Sequence, residues 1–169
     1  MKGVAHLRLM VSVWLVAGLC REVAAADKNE ARTLRTLLVT PQQFSPVTQG
    51  TQYALSAGGL GCLCTSRGGG YFVSRVELPA GARIHGVEAV FSDSSDDGFG
   101  IVSLFRVGES TRDLLALTPM SLAQPLRETA SVALKEPEIV REDFQYWLHL
   151  TLTGPDVCLR AVRVLYTSD

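Results

Sequence analysis

Four sets of side chains in this sequence could do chemistry, each of a different kind. The stretch Asp93-Ser94-Ser95-Asp96-Asp97-Gly98 puts oxygen-bearing side chains at alternate positions with glycine next. That is the first half of a loop able to close on a hard cation such as calcium. Asp93 and Asp97 are the candidate ligands. The position where a bidentate glutamate would complete the loop is Leu104, and Asp, Ser and Gly also make ordinary turns, because they bond their own backbone and tolerate unusual dihedrals. A plain polar turn is the competing reading. Trp147 is the second candidate. It sits in an alternating run where Tyr146, Leu148, Leu150 and Leu152 share one side and Trp147, His149 and Thr151 the other. A tryptophan out of phase with the apolar layer faces away from it, where aromatic rings make recognition surfaces for a sugar or a protein. Tyr53, Tyr71 and Phe72 could extend such a platform or fill the core, and packing is the competing reading for Trp147 as well.

Cysteines form the third set: Cys62, Cys64 and Cys158. A Cys-x-Cys pair on a strand carries both sulfurs on one face, so either Cys62 or Cys64 could form a disulfide with Cys158 in an oxidising compartment. Three buried thiols are the alternative. A zinc site lacks a fourth ligand, since neither His85 nor His149 stands at finger-like spacing. The histidines are the fourth set. A hydrolase would need one of them beside a nucleophile and a carboxylate, and the sequence contains no G-x-S-x-G elbow. No catalytic residue is assigned, and no motif calls for a cofactor. The triple glycine Gly68-Gly69-Gly70 leads into Tyr71-Phe72-Val73 rather than into a helix carrying Lys-Ser or Lys-Thr, so it does not read as a phosphate cradle.

The elements that must hold these residues are strands. Tyr71 to Val107 reads as three strands joined by two turns, the first at Pro79-Ala80-Gly81 and the second at Asp93 to Gly98. Proline at the first central turn position with glycine two residues on suits a tight turn. Tyr53–Ser56 and Leu60–Cys64 have hairpin spacing across Ala57-Gly58-Gly59. Further strands are expected over 113–118, 129–134, 146–152 and 157–166, with a surface crossing at 135–143 around Pro137. Arg160 falls in the apolar phase of the last strand, which points to a bulge there. About nine short strands with no convincing helix predict an all-β protein, an antiparallel β-sandwich of jelly-roll-like topology.

The chain has 169 residues. Lys2 and Arg8, the uncharged run Leu9–Cys20 and Ala24-Ala25-Ala26 form the layout of a secretory signal peptide over residues 1–26. The apolar run is too short to span a membrane, which takes about 20 residues. Removing the three basic and one acidic residues of that segment from the 16 and 17 of the whole chain leaves 13 against 16, a net charge of −3. A mildly acidic domain with scattered charges has no means of gripping a phosphate backbone, which excludes nucleic-acid binding. Residues 27–50, broken by Pro41 and Pro46, are expected as a poorly ordered arm that joins the domain near Phe44, and residues 51–169 as the sandwich.

The order Val76-Glu77-Leu78-Pro79-Ala80-Gly81-Ala82-Arg83-Ile84, then Phe91-Ser92-Asp93, then Leu104-Phe105-Arg106, resembles a family of uncharacterised exported bacterial β-sandwich proteins. These carry a leucine-proline-x-glycine-alanine-x-isoleucine turn, an aromatic penultimate strand (here Tyr146-Trp147-Leu148) and a closing apolar strand (here Ala161 to Tyr166). The resemblance implies the fold and transfers no catalytic residue. Where that family has a Val-Asp-Asn lead-in, this chain has Val140-Arg141-Glu142-Asp143. The resulting expectation is a secreted or periplasmic, non-enzymatic module with a structural or interaction role and a protein or glycan partner. The alternative is a carbohydrate- or ligand-binding module using Trp147, and an exported hydrolase is the weakest reading.

Overall fold

The computed structural model of the protein describes residues 33–55, 61–66 and 68–168, the side chains of 124–127 excepted. The proposed signal segment and the turn at Ala57-Gly58-Gly59 lie outside the described residues. In chain order the strands are β1 (Arg35–Val39), β2 (Ser45–Pro46), β3 (Tyr53–Leu55), β4 (Leu63–Thr65), β5 (Gly69–Val76), β6 (Arg83–Asp93), β7 (Phe99–Val107), β8 (Arg112–Leu117), β9 (Gln124–Ile139), β10 (Gln145–Thr153) and β11 (Val157–Thr167). A single 3-10 turn, Pro41–Gln43, separates β1 from β2. No described helix is long and apolar enough to cross a membrane.

The strands form two antiparallel sheets. One has six strands in the order β3-β4-β11-β6-β9, with β1 also beside β11; the other has five, in the order β2-β5-β10-β7-β8. From β4 onward the chain keeps changing sheets, so nearly every pairing joins segments distant in sequence. Alternation along each strand then does the packing. Phe72, Leu104, Leu148, Leu150 and Leu152 from the five-stranded sheet meet Leu63, Ile84, Val87, Phe91 and Leu159 from the six-stranded sheet, and all are essentially inaccessible to solvent. The turn expected at Pro79-Ala80-Gly81 is present: the Ala82 N–H donates to the Pro79 carbonyl at 3.1 Å, and Gly81 has φ +84°, which side chains with a Cβ rarely adopt.

Three expectations need correction. The fold starts earlier than Thr51, in a compact unit running from Arg32 to Asp169. Arg35–Val39 lies in register with Tyr166–Val162 as strand β1, which puts Val39 in the core. Its weak local pattern hides a strand that is held by pairing rather than by propensity. Second, 124–139 is one strand of 16 residues, not a short strand followed by a crossing. Pro137 is tolerated because β9 is the edge of its sheet, where a missing N–H breaks no interior ladder. Third, unbroken alternation along the last strand would put Cys158 inward with Val162, Val164 and Tyr166, whereas Cys158 is half-buried between the buried Val157 and Leu159 and faces the other way. The predicted bulge does occur, as a register shift between Leu159 and Ala161, and it resets the phase so that Val157, Leu159, Val162 and Val164 are buried. With these additions the described strands number eleven rather than about nine.

Polar groups tie the two sheets together at one end. Arg106 on β7 donates to Asp113 on β8 at 2.7 Å and to Glu138 on β9, in the other sheet, at 3.0 Å. The Tyr146 hydroxyl on β10 donates to the same Glu138 at 3.0 Å. Burial, and then the bond to Glu138, push the Tyr146 phenol up to about 12. Elsewhere Cys64 and Cys158 face each other across β4 and β11 and are joined as a disulfide. A bond spanning 94 residues of sequence restricts the unfolded chain strongly. The Cys64→Ser/Cys158→Ser double variant is expected to lose roughly 2–4 kcal/mol of stability in urea unfolding at unchanged strand content. An unshifted midpoint would refute that role.

Candidate functional site

Burying Tyr146, Leu148, Leu150 and Leu152 forces the intervening residues of β10 onto the outer face of the five-stranded sheet. Register then fixes their neighbours. Trp147 lies between Arg75 on β5 and Phe105 on β7, and Phe105 lies beside Leu114 on β8. His149 lies between Val73 and Ser103, and Thr151 between Tyr71 and Ile101. Trp147 is half-buried, while Tyr71 and Leu114 are 62% and 53% exposed. An aromatic and apolar stripe with polar side chains set into it therefore crosses an open sheet surface.

Close contacts order the middle of this stripe. The Phe105 and His149 rings have centroids 4.7 Å apart. The Arg112 guanidinium carbon sits 4.3 Å from the centre of the Phe105 ring, and its Nη2 is 3.3 Å from His149 Nδ1. Arginine can only donate, so Nδ1 is the acceptor and the neutral ring carries its proton on Nε2. Burial first, and the nearby Arg112 charge second, lower the His149 pKa from its ordinary 6.5. The Trp147 indole N–H donates to Gln145 Oε1 at 3.2 Å, which orients the ring.

Of the sequence candidates, Trp147 stands on this face, Tyr71 shares it, and Phe72 is fully buried in the core. Tyr53 packs edge-on against Phe72 with centroids 5.4 Å apart. Asp93 and Asp97 part company. Asp93 is fully buried at the end of β6, where its carboxylate accepts the Ser95 N–H at 3.0 Å and the Ser121 hydroxyl at 2.5 Å. Asp97 is exposed. Both oxygens of Asp93 are thus engaged by protein donors, and Ser121 in turn accepts the Gly100 N–H at 2.7 Å. The aspartate joins the end of β6 to the segment after β8. The Cys62 sulfur lies 3.5 Å from that of Cys64 on β4 of the six-stranded sheet, and His85 Nε2 is 3.0 Å from the Thr167 hydroxyl.

Phe105 enters the sequence reading only within the Leu104-Phe105-Arg106 motif, and Arg112 does not enter it. They flank the β7–β8 hairpin, whose turn is closed by the Gly108 N–H on the Thr111 carbonyl at 2.9 Å. Recognising that hairpin would have placed Arg112 opposite Val107, but not over a ring two residues further along.

Among solved structures the chain is similar to carbohydrate-binding modules. A family 6 module from Clostridium cellulolyticum in complex with xylose shares 16% identity at a TM-score of 0.51, over 76% of this chain and 95% of that one. The module CsCBM6-3 from Clostridium stercorarium in complex with cellobiose shares 13% at a TM-score of 0.52, over 78% and 94%. The C-terminal family 6 module of the laminarinase LamC from Zobellia galactanivorans shares 13% at 0.50, over 79% and 100%. At such identities the likeness is one of fold. No protein-family model matches the chain, and no curated protein matches it.

Two outcomes are expected here. Asp93→Ala should destabilise the protein by about 2–4 kcal/mol by stranding buried donors, while millimolar calcium should leave the melting temperature of the wild type unmoved; a rise with calcium would place a cation in the turn. The folded pKa of His149 is the lower one, so its contribution to stability is intact above about pH 6.5 and is lost as pH falls toward the folded value. Melting curves should therefore show a shallower acid decline for His149→Gln than for the wild type, and parallel curves would contradict this.

Proposed function

We propose that this protein is an exported, non-catalytic carbohydrate-binding module whose ligand lies along the outer face of the five-stranded sheet. The observation that carries the reading is Trp147 held on an open sheet surface, braced by Gln145 and flanked by Phe105, His149 and Arg75. A sugar ring offers apolar C–H faces and a rim of hydroxyls. Aromatic planes stack on the first, and arginine, histidine, serine and threonine bond the second. Three features support the reading. The sandwich has the fold of modules solved with xylose and cellobiose. A disulfide suits an oxidising compartment outside the cytoplasm. Among the described residues His85 contacts a threonine, and His149 an arginine and a phenylalanine, polar and aromatic surroundings that suit binding.

A nearby cavity is less suited. A cavity of about 340 Å3 beside Arg75, Arg141, Phe144 and Tyr146 has its main ring, Phe144, already engaged by Arg141 and Arg106 at 4.2 and 4.8 Å. Trp147→Ala should reduce binding to a glycan panel at least tenfold, read by affinity electrophoresis, with the melting temperature kept within about 2 °C. A collapse in stability without any wild-type glycan binding would instead make Trp147 a packing residue and return the protein to a structural role.

A further inference from the structure

The outer face is asymmetric in its hydrogen-bonding capacity. Arg112 lies on the Phe105 ring with one nitrogen spent on His149. Among the described residues it forms no ion pair, whereas Arg106, Arg141 and Arg163 each have a carboxylate partner. Arg75, on the far side of Trp147, has only a loose contact to Glu77 at 3.8 Å, with both side chains largely in solvent. Glu109, in the turn before Arg112, is exposed and forms no ion pair among the described residues.

Since His149 Nδ1 accepts from Arg112, the neutral imidazole keeps an Nε2–H donor that bonds no group among the described residues. Arg112 retains further N–H groups, and a guanidinium held over the Phe105 ring is pre-ordered, so that fewer rotamers are lost when it binds. The cluster thus presents donors and positive charge beside an aromatic floor. A neutral sugar hydroxyl both gives and takes hydrogen bonds and would leave that charge unmatched. An oxyanion only accepts, and it fits the arginine fork with two parallel bonds.

From this we infer that the face selects an anionic polysaccharide, with an acidic group on one sugar seated between Arg112 and His149 while a neighbouring ring stacks on Trp147. The inference rests on the carbohydrate reading above and names its ligand class. The oxyanion could be a uronate carboxylate or a sulfate ester, and the two are separable in solution.

The test is calorimetric titration of the wild type, Arg112→Gln and Trp147→Ala with polygalacturonate, alginate, their methyl esters, dextran sulfate, and the neutral oligosaccharides xylohexaose and cellohexaose. Expected for the wild type is binding to an acidic chain at least tenfold tighter than to its own methyl ester, weakening as salt is raised. Arg112→Gln should lose that preference at an unchanged melting temperature, while Trp147→Ala should lose binding to every ligand. Preference for dextran sulfate over both uronates would equally support an oxyanion site and assign it to sulfate. Equal binding of acid and ester, or an Arg112→Gln variant that keeps the preference, would overturn the inference and leave glycan binding standing. Binding to none of the ligands, neutral or acidic, would overturn both.

Discussion

Burial of one side of β10 governs the rest of the molecule. Tyr146, Leu148, Leu150 and Leu152 lose nearly all contact with water between the sheets, and each such side chain contributes about 1.5–3 kcal/mol when removed from solvent. A one-residue slip would turn all four outward at once. The register is held from both sides, by β5 and by β7. With the inner row locked, Trp147, His149 and Thr151 have nowhere to go but the outer face. The candidate site is thus a by-product of core packing: its residues stand in line because their neighbours are buried.

Two other devices hold the sandwich where alternation alone would not. At one end, Arg106, Glu138, Asp113 and Tyr146 bridge the sheets with charge-assisted bonds. The bonds to Asp113 and Glu138 raise the Arg106 pKa above its ordinary value, outweighing a partial burial that lowers it, so it stays charged throughout. Elsewhere, the Cys64–Cys158 disulfide joins β11 to the short strand β4, which has only three residues of its own ladder. Strands that short are marginal without extra support. The bulge at Arg160 lets β11 serve both the core and this bond, turning Leu159 in and Cys158 out. At the same bulge the Nε of Arg160 is buried without a hydrogen-bond partner among the described residues.

How much was legible follows from the range of each interaction. Period-two alternation over Tyr146–Leu152 is local, and it correctly turned Trp147 away from the core. The turn at Pro79-Ala80-Gly81 was legible because its dihedrals leave a residue signature. β1 was not, since nothing in Arg35–Val39 says that Val162–Tyr166 will lie beside it. The role of Asp93 was equally hidden. An aspartate opening a polar turn looks the same whether its carboxylate faces a cation, water or, as here, Ser121 from a segment 28 residues away.

The sequence by itself determined the class of fold, the existence of a bulge near Arg160, and the fact that one of two cysteines could meet Cys158, because alternation and turn chemistry act between near neighbours. Only the tertiary structure decided that Cys64 is the partner, that 124–139 is one edge strand, and that Arg112 rests on Phe105 beside His149. Those depend on which strands pair and in what register. In a sandwich whose chain keeps crossing between sheets, pairing is set by the fit of the whole core and not by any single stretch.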